Sequence, residues 1–460
     1  MGHQVTNNAS NTTPEPTSNP QVDYVLRAAE ERNVKLIRLW FTDVVGQLKS
    51  VAISPIELER AFTEGVHFDG SAIDGFSRIQ ESDVMAKPDP STFEILPWTD
   101  AGTTARMFCD IQLPNGKPFD GDPRYVLRRN LERAQESGYS FFTAPEMEFF
   151  YFADGDPSKP PTPLDRGSYF DLTTSDVASD LRRRTLSVLE AMGIPVEYSF
   201  HEDSPSQHEI DLRYTDALTM ADQIMTFRLV VRELALEQGR FASFMPKPLP
   251  GVQGSGMHLH LSLFENDVNA FHPSDDEQVL SEVGRKFMAG LLAHAREITA
   301  VTNQLVNSYK RLVVGFEAPV WVSWAKNNRS ALIRVPVTKA DKTSSTRIEF
   351  RSPDPACNPY LAFAVILAAG RAGIEGDYEL PDEIHQNLFE LTTDEAEKLG
   401  VQPLPRSLAE ALDEMERSEL VHNALGEHIF EWFLRNKRSE WNSYKLHVSQ
   451  WELERYLPTW

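Results

Sequence analysis

Val22, Val25, Leu26 and Ala29 recur at helical spacing and predict an amphipathic helix just after residue 20. The preceding stretch, residues 1–20, is rich in Asn, Thr, Ser and Pro, holds almost nothing that could be buried, and is expected to be disordered. A strand-like run follows over Val34–Thr42, and short strands and turns continue to about residue 115. Residues 21–115 therefore read as a small α+β domain. Asp122-Pro123 combines a helix-capping side chain with proline at the first helical position, so a helix opens there, and a large domain is expected over 116–460. Within it strand-like runs alternate with helices. One long helix is predicted over Glu282–Leu305, with Phe287, Leu291, Ile298 and Leu305 on one face, and another starts at the Asn358-Pro359 cap. The last quarter is helical and polar, and ends in a tail bearing Trp441, Trp451, Tyr456 and Trp460.

The longest apolar stretch, around Tyr360–Gly370, is about half the ~20 residues a membrane span needs and reads as a buried helix. At 460 residues the chain exceeds what one hydrophobic core supports, which favours two domains. A net charge of −23 disfavours nucleic acid and anionic membranes as partners. Two cysteines, Cys109 and Cys357, exclude a disulfide scaffold and fit a reducing cytoplasm. The N-terminus lacks a basic-then-apolar leader, so a cytoplasmic location is expected.

Four segments repeat one design. In Pro145-Glu146-Met147-Glu148-Phe149-Phe150 a strand would turn Glu146 and Glu148 to the same face, where a divalent cation would relieve their repulsion. Glu202 and Glu209, seven residues apart around a Ser-Pro-Ser turn, offer two more carboxylates. In Gly254-Ser255-Gly256-Met257-His258-Leu259-His260-Leu261-Ser262, glycines let backbone approach a ligand, and His258, His260 and Ser262 share a face. Neither a P-loop nor a dinucleotide fingerprint is present. Arg347-Ile348-Glu349-Phe350-Arg351 alternates again, with Arg329 and Arg334 just upstream, and this collection suits carboxylate or phosphate.

Taken singly, each segment also reads blandly: an exposed strand edge, a surface loop, core histidines, an ion-pair ladder. Together they describe strands lining one cavity with ionisable groups while their apolar backs meet a core. Mostly oxygen ligands with one or two imidazoles favour Mg²⁺ or Mn²⁺ over zinc. Carboxylate-held metals beside arginines equip a site for phosphoryl transfer from a nucleotide.

Ten co-linear motifs, among them FDGSAIDGF (68–76), APEMEFF (144–150), GSGMH (254–258), GFEAP (315–319), NNRSALIRVP (327–336) and RIEFRSPDPACNPYLAF (347–363), resemble the bacterial type I glutamine synthetase family from about residue 20 to the end. The resemblance implies a small β-grasp-like N-terminal domain, and a large α/β catalytic domain whose curved antiparallel sheet lines the active site. It implies a dodecamer of two stacked hexamers with active sites between subunits. The implied reaction is phosphorylation of glutamate by ATP, then attack of ammonia on γ-glutamyl phosphate, with two or three Mg²⁺ or Mn²⁺ ions. Carried over by position, Glu148, Glu202 and Glu209 resemble the ligands of one ion, and Glu146, His258 and Glu349 those of another. Glu197, His260, Ser262 and Arg334 match nucleotide contacts. Gly254, Arg311, Arg329 and Arg351 match glutamate contacts, and Arg329 and Arg347 also match phosphoryl contacts. Asp69, from a neighbouring subunit, with Tyr169 and Glu317, matches the ammonium pocket; Glu317 sits in a loop that would close the site.

Three positions depart from the family pattern: Ala72 where a serine is usual, Gln253 for asparagine, and Phe200 for a histidine. The signature otherwise resembles the second actinobacterial homologue, some relatives of which join polyamines to glutamate. A γ-glutamylpolyamine synthetase is therefore the alternative, and a catalytically inactive regulatory homologue is a second one. Phe389 stands where some members carry a tyrosine that is adenylylated, so no adenylylation is expected.

Overall fold

The computed structural model describes residues 19–73, 83–98, 103–172, 176–274, 279–337, 343–388 and 393–460. Phe389 and almost all of the N-terminal tail lie outside them. Helix α1 (Pro20–Glu31) is capped by Asn19, whose side chain accepts from Gln21 N, with proline at the first helical position. It leads into a six-stranded sheet made by β1 (Val34–Thr42), β2 (Leu48–Ile53), β3 (Val66–Asp69), β4 (Asp83–Pro88), β5 (Glu94–Ile95) and β6 (Thr103–Gln112), with α2 (Leu58–Glu64) between β2 and β3. The order is β2-β1-β6-β4-β3, with β5 on β6; β1 and β6 run parallel and the other pairs antiparallel. Ile37, Leu39, Ala105, Met107 and Ile111 alternate onto one buried face and form this sheet's own core.

Asp122 then caps α3 (Pro123–Glu136) through Arg124 N, and its other oxygen accepts from Ile111 N of β6. A second, curved sheet of ten strands follows: β7 (Ser140–Phe152), β8 (Val196–His201), β9 (Gln207–Leu212), β10 (Thr215–Asp216), β11 (Phe241–Ser243), β12 (Met257–Glu265), β13 (Val268–Asn269), β14 (Trp324–Ala325), β15 (Ile333–Arg334) and β16 (Ile348–Phe350). Its main path is β14-β15-β16-β12-β7-β9-β8, antiparallel except for β14 on β15. The backs of its strands (Met147, Phe149, Met257, Leu259, Leu261, Ile348 and Phe350) enter one large core with α4 (Ser179–Ala191), α5 (Ala217–Glu237), α6 (Glu282–Ala293), α7 (Ala295–Thr302) and α9 (Pro359–Glu375). The short α8 (Ser308–Arg311) ends in the buried Arg311.

Asn358 caps α9 by accepting from Tyr360 N and Leu361 N. Tyr360–Leu367 are fully buried. A helix apolar on every side is one surrounded by protein, which accounts for the uninterrupted apolar run. No helix among the described residues is long and apolar enough to cross a membrane. One helix predicted as continuous is not: the segment from Glu282 is interrupted at His294 (φ −102°, ψ 7°), and it ends at Thr302 rather than Leu305. Asn303 leaves the helical region because its amide is recruited by Ser352 O and Asp354, a tertiary demand that periodicity does not register.

Candidate active site

Strand register builds the site. His258 on β12 stands opposite Glu146 on β7, His260 opposite Glu349 on β16, Arg334 on β15 opposite Glu349, and Glu148 opposite Glu209 on β9. Cross-strand partners share a face, so alternation within each strand and register between strands collect these polar groups on one side.

The first group is tight. His258 Nδ1 lies 2.8 Å from Glu146 Oε2 and 3.7 Å from Glu349 Oε1, and His260 Nε2 lies 2.7 Å from Glu146 Oε1. Burial alone would raise the Glu146 pKa, but the two imidazoles outweigh it and hold it well below the usual carboxylate range. Arg334 and Arg351 engage the two oxygens of Glu349 at 2.5 and 3.0 Å, and Arg347 Nε donates to His260 Nδ1 at 3.1 Å.

The second group is looser and more frustrated. Glu148 Oε2 accepts from Gly256 N (2.8 Å) and Gln207 Nε2 (3.0 Å). Glu202 meets the side chains of Glu209 and Tyr169. Burial and the charge of Glu148 push the Glu202 pKa up to about 8; burial and four neighbouring carboxylates push Glu209 well above its usual value. His258 Nε2, buried and without a hydrogen-bond partner, lies 3.9 Å from Glu148 Oε1 and so stands between the groups.

These residues fit divalent cations. Ligand atoms of Glu146, His258 and Glu349 lie within 4.8 Å of one another, a span that metal–ligand bonds of about 2.1–2.5 Å bridge. Carboxylates that must retain protons when buried together lose that need once a cation lies among them. Gly256 is required here: a Cβ would run into the Arg311 guanidinium, Glu148 and His258.

Arg311 is buried beneath this point, donating to Ser352 O and Arg351 O. Gly254 faces it, and Ser262 continues the face of His258 and His260. Glu197 is exposed on β8, near enough to Asp211 to influence its charge. Tyr169 donates to Glu317 Oε2 at 2.6 Å, and Glu317 N donates to Gln253 Oε1 at 2.7 Å. Two expected residues stand apart. Among the described residues, exposed Arg329 makes no hydrogen bond with this cluster, and the Asp69 side chain bonds with Ser71 in its own turn.

Sequence reasoning missed three contributors. Asp211 lies opposite Glu146, and burial with the Glu146 charge raises its pKa to about 7; the alternation Glu209-Ile210-Asp211 was a readable signal. Gln207, which supports Glu148, and His201, which meets the Glu202 carbonyl, had none. A cavity of about 1440 Å³ lies elsewhere, between the β1–β2 hairpin and α5, lined by Arg38, Trp40, Lys49, Arg228 and Ala72 among others. It holds none of the metal-ligand candidates, so charge convergence rather than cavity size locates the chemistry.

A β-grasp sheet joined to a curved sheet bearing acidic, imidazole and guanidinium groups is the build of a carbon–nitrogen ligase. Residues 33–114 match the model described as "Glutamine synthetase, beta-Grasp domain", and residues 120–456 match "Glutamine synthetase, catalytic domain". The chain belongs to the glutamine synthetase family. It is 57% identical over 441 residues to the glutamine synthetase of Mycobacterium tuberculosis (95% of this chain, 99% of that one). It is 51% identical to that of Methanosarcina mazei (94% and 97%) and 48% identical to that of Thermotoga maritima (95% and 99%). A solved structure described as "GmaS/ADP complex-Conformation 1" superposes with a TM-score of 0.85 at 29% identity, covering 94% of this chain and 99% of that one.

Proposed function

We propose that the protein joins ammonia to the γ-carboxyl of L-glutamate with ATP, through γ-glutamyl phosphate. The observation that carries this reading is the convergence of Glu146, His258 and Glu349 with Arg334, Arg347 and Arg351 on one face of the curved sheet. Glu146, His258 and Glu349 would hold one divalent ion, and Glu148, Glu202 and Glu209 another; Mg²⁺ or Mn²⁺, two or three per site, suits the oxygen-rich set. Bound there, such ions neutralise charge on the transferring phosphoryl group. Glu197, His260, Ser262 and Arg334 would receive the nucleotide, a role supported by the neighbour solved with ADP. Gly254, Arg311, Arg329 and Arg351 would bind glutamate, and Arg329 and Arg347 would steady the phosphoryl group.

Tyr169 and Glu317 make an acidic pocket that suits ammonium, to which Asp69 would come from a neighbouring subunit of a homododecamer. Glu317 would also shield the acyl phosphate from water. Phosphate release in the presence of glutamate and ATP, with ammonium, putrescine or spermidine supplied in turn, tests the reading. Turnover is expected with ammonium; turnover with the polyamines alone would overturn it.

One observation favours that second reading. The exposed Phe170 ring sits 5.0 Å from Phe200 and 5.7 Å from Tyr169, an apolar shelf beside the acidic pocket. A shelf of this kind suits the alkyl part of a longer amine.

A further inference from the structure

Glu202 and Tyr169 lie on different segments, yet both must be placed accurately for the function proposed above. Two buried residues connect those segments. The Asp165 side chain is 2% exposed and that of His201 is fully buried. Asp165 Oδ1 receives His201 Nε2 at 3.1 Å, Ser206 N at 2.7 Å and Gly167 N at 3.2 Å. His201 Nδ1 lies 2.6 Å from the carbonyl oxygen of Glu202. A carboxylate and a carbonyl both accept, so each imidazole nitrogen faces an acceptor and the ring bridges the two segments. Further bonds run the same way: Ser206 Oγ accepts from Leu164 N and Asp165 N, Phe170 N donates to His201 O, and Ser168 Oγ donates to Asp203 Oδ1. Phe170 has φ +61°, a backbone conformation that bulky residues rarely adopt, and the His201 carbonyl holds it there. Asp176 and His208 complete the buried cluster, but Arg182 already sits between them at 2.6 and 2.8 Å, so its cation is built in.

We propose that Asp165 and His201 are positioning residues, a buried hydrogen-bonded pair that locks the Tyr169 loop onto the Glu202 hairpin and thereby sets the amine pocket and a metal ligand as one unit. The idea rests on the functional reading above. It explains why a pair with no reach to the reacting atoms is placed between two loops that both reach them. Groups that orient metal ligands at one remove change metal affinity by about 10–100-fold when lost.

The test uses the full chain and two readouts, Mn²⁺ affinity by electron paramagnetic resonance and the KM values for ammonium and ATP. Asp165→Ala is expected to weaken one class of bound Mn²⁺ by about tenfold or more and to raise the ammonium KM by a similar factor, leaving the ATP KM within about twofold. Asp165→Asn, which keeps an oxygen for the Gly167 and Ser206 amides, is expected to recover much of both. Gly167→Ala reaches the same end differently, because its Cβ would occupy the place of the His201 ring. It is expected to show the same signature, and it decides the matter if Asp165→Ala fails to fold. Wild-type Mn²⁺ affinity and ammonium KM in either variant would overturn the proposal, as would an equal loss of ATP affinity, which would mark general loosening. If the parent protein turns over no amine, the functional reading falls while the Mn²⁺ titration still judges the clamp.

Discussion

The Tyr169 hydroxyl donates to Glu317 Oε2 at 2.6 Å, joining side chains 148 positions apart in the sequence. With Gln253 Oε1 holding the Glu317 amide, the loop bearing Glu317 is tied on two sides. Tyr169→Phe removes one tie while keeping the ring. The ammonium KM is expected to rise roughly tenfold, the scale of a hydrogen bond to a charged group near solvent. More phosphate should be released per amide formed, since a looser loop admits water. A phosphate-to-product ratio measured with limiting ammonium checks this.

Glu349 is 1% exposed and pairs with both Arg334 and Arg351. Glu349→Ala takes away a metal-ligand candidate and leaves two guanidiniums without their partner. Loss of several kcal/mol of transition-state stabilisation is expected, roughly a thousandfold in glutamate-dependent phosphate release. Release at the parental rate would remove the assigned chemistry.

A Cβ at Gly256 would displace Arg311, Glu148 or His258, all parts of the site. Gly256→Ala is expected to lower turnover by about a hundredfold, the cost of misplacing reacting groups by about an ångström. Far-ultraviolet circular dichroism should remain parental, because the disturbance lies at one end of β12 and not in the core behind it.

Glu202 titrates at about 8 in the metal-free fold, against 4.5 for an ordinary glutamate, and Asp211 at about 7. An acid with a raised folded-state pKa contributes stability at low pH, below its unfolded value, and loses that contribution as pH rises through the folded value. Metal-free protein is therefore expected to lose stability between about pH 4.5 and 8. Metal competes with the same protons, so Mn²⁺ affinity should rise over that range. Calorimetric titrations in two buffers of different ionisation enthalpy would reveal proton release on binding at pH 7; equal heats would contradict the expectation.

Arg124 of α3 gathers Asp89 just after β4, Asp110 of β6 and Asp222 of α5, at 2.8, 2.5 and 3.0 Å, and Tyr360 also donates to Asp222. Removing the guanidinium leaves the buried Asp222 carboxylate without its ionic partner, which costs about 3–5 kcal/mol. Arg124→Ala should lower the urea midpoint accordingly, and a midpoint within error of the parent would show that the hub contributes little.

Where the chemistry repeats along a strand, the sequence was readable. The alternation of Glu146 with Glu148 and of His258 with His260 announced a polar face on an apolar back, and β7 and β12 have that form. Asn358-Pro359 and Asp122-Pro123 marked helix starts because capping is a local hydrogen-bond requirement. Long-range pairings were not readable. Nothing near Arg124 in the chain signals Asp222, 98 positions away, and nothing near His201 signals Asp165. The break at His294 was hidden because the apolar spacing runs on through it.

Asn358 does more than begin α9. Its amide nitrogen donates to the carbonyls of Asp43 and Val44, at the end of β1, while its oxygen caps the helix. Gln304 adds a bond to Val45 O. The turn after the first strand is thus stapled to the most deeply buried helix of the other half of the molecule. Hinging one half against the other would break this staple and the Arg124 hub together. Access for substrates is left to the short segment carrying Glu317, whose movement disturbs neither.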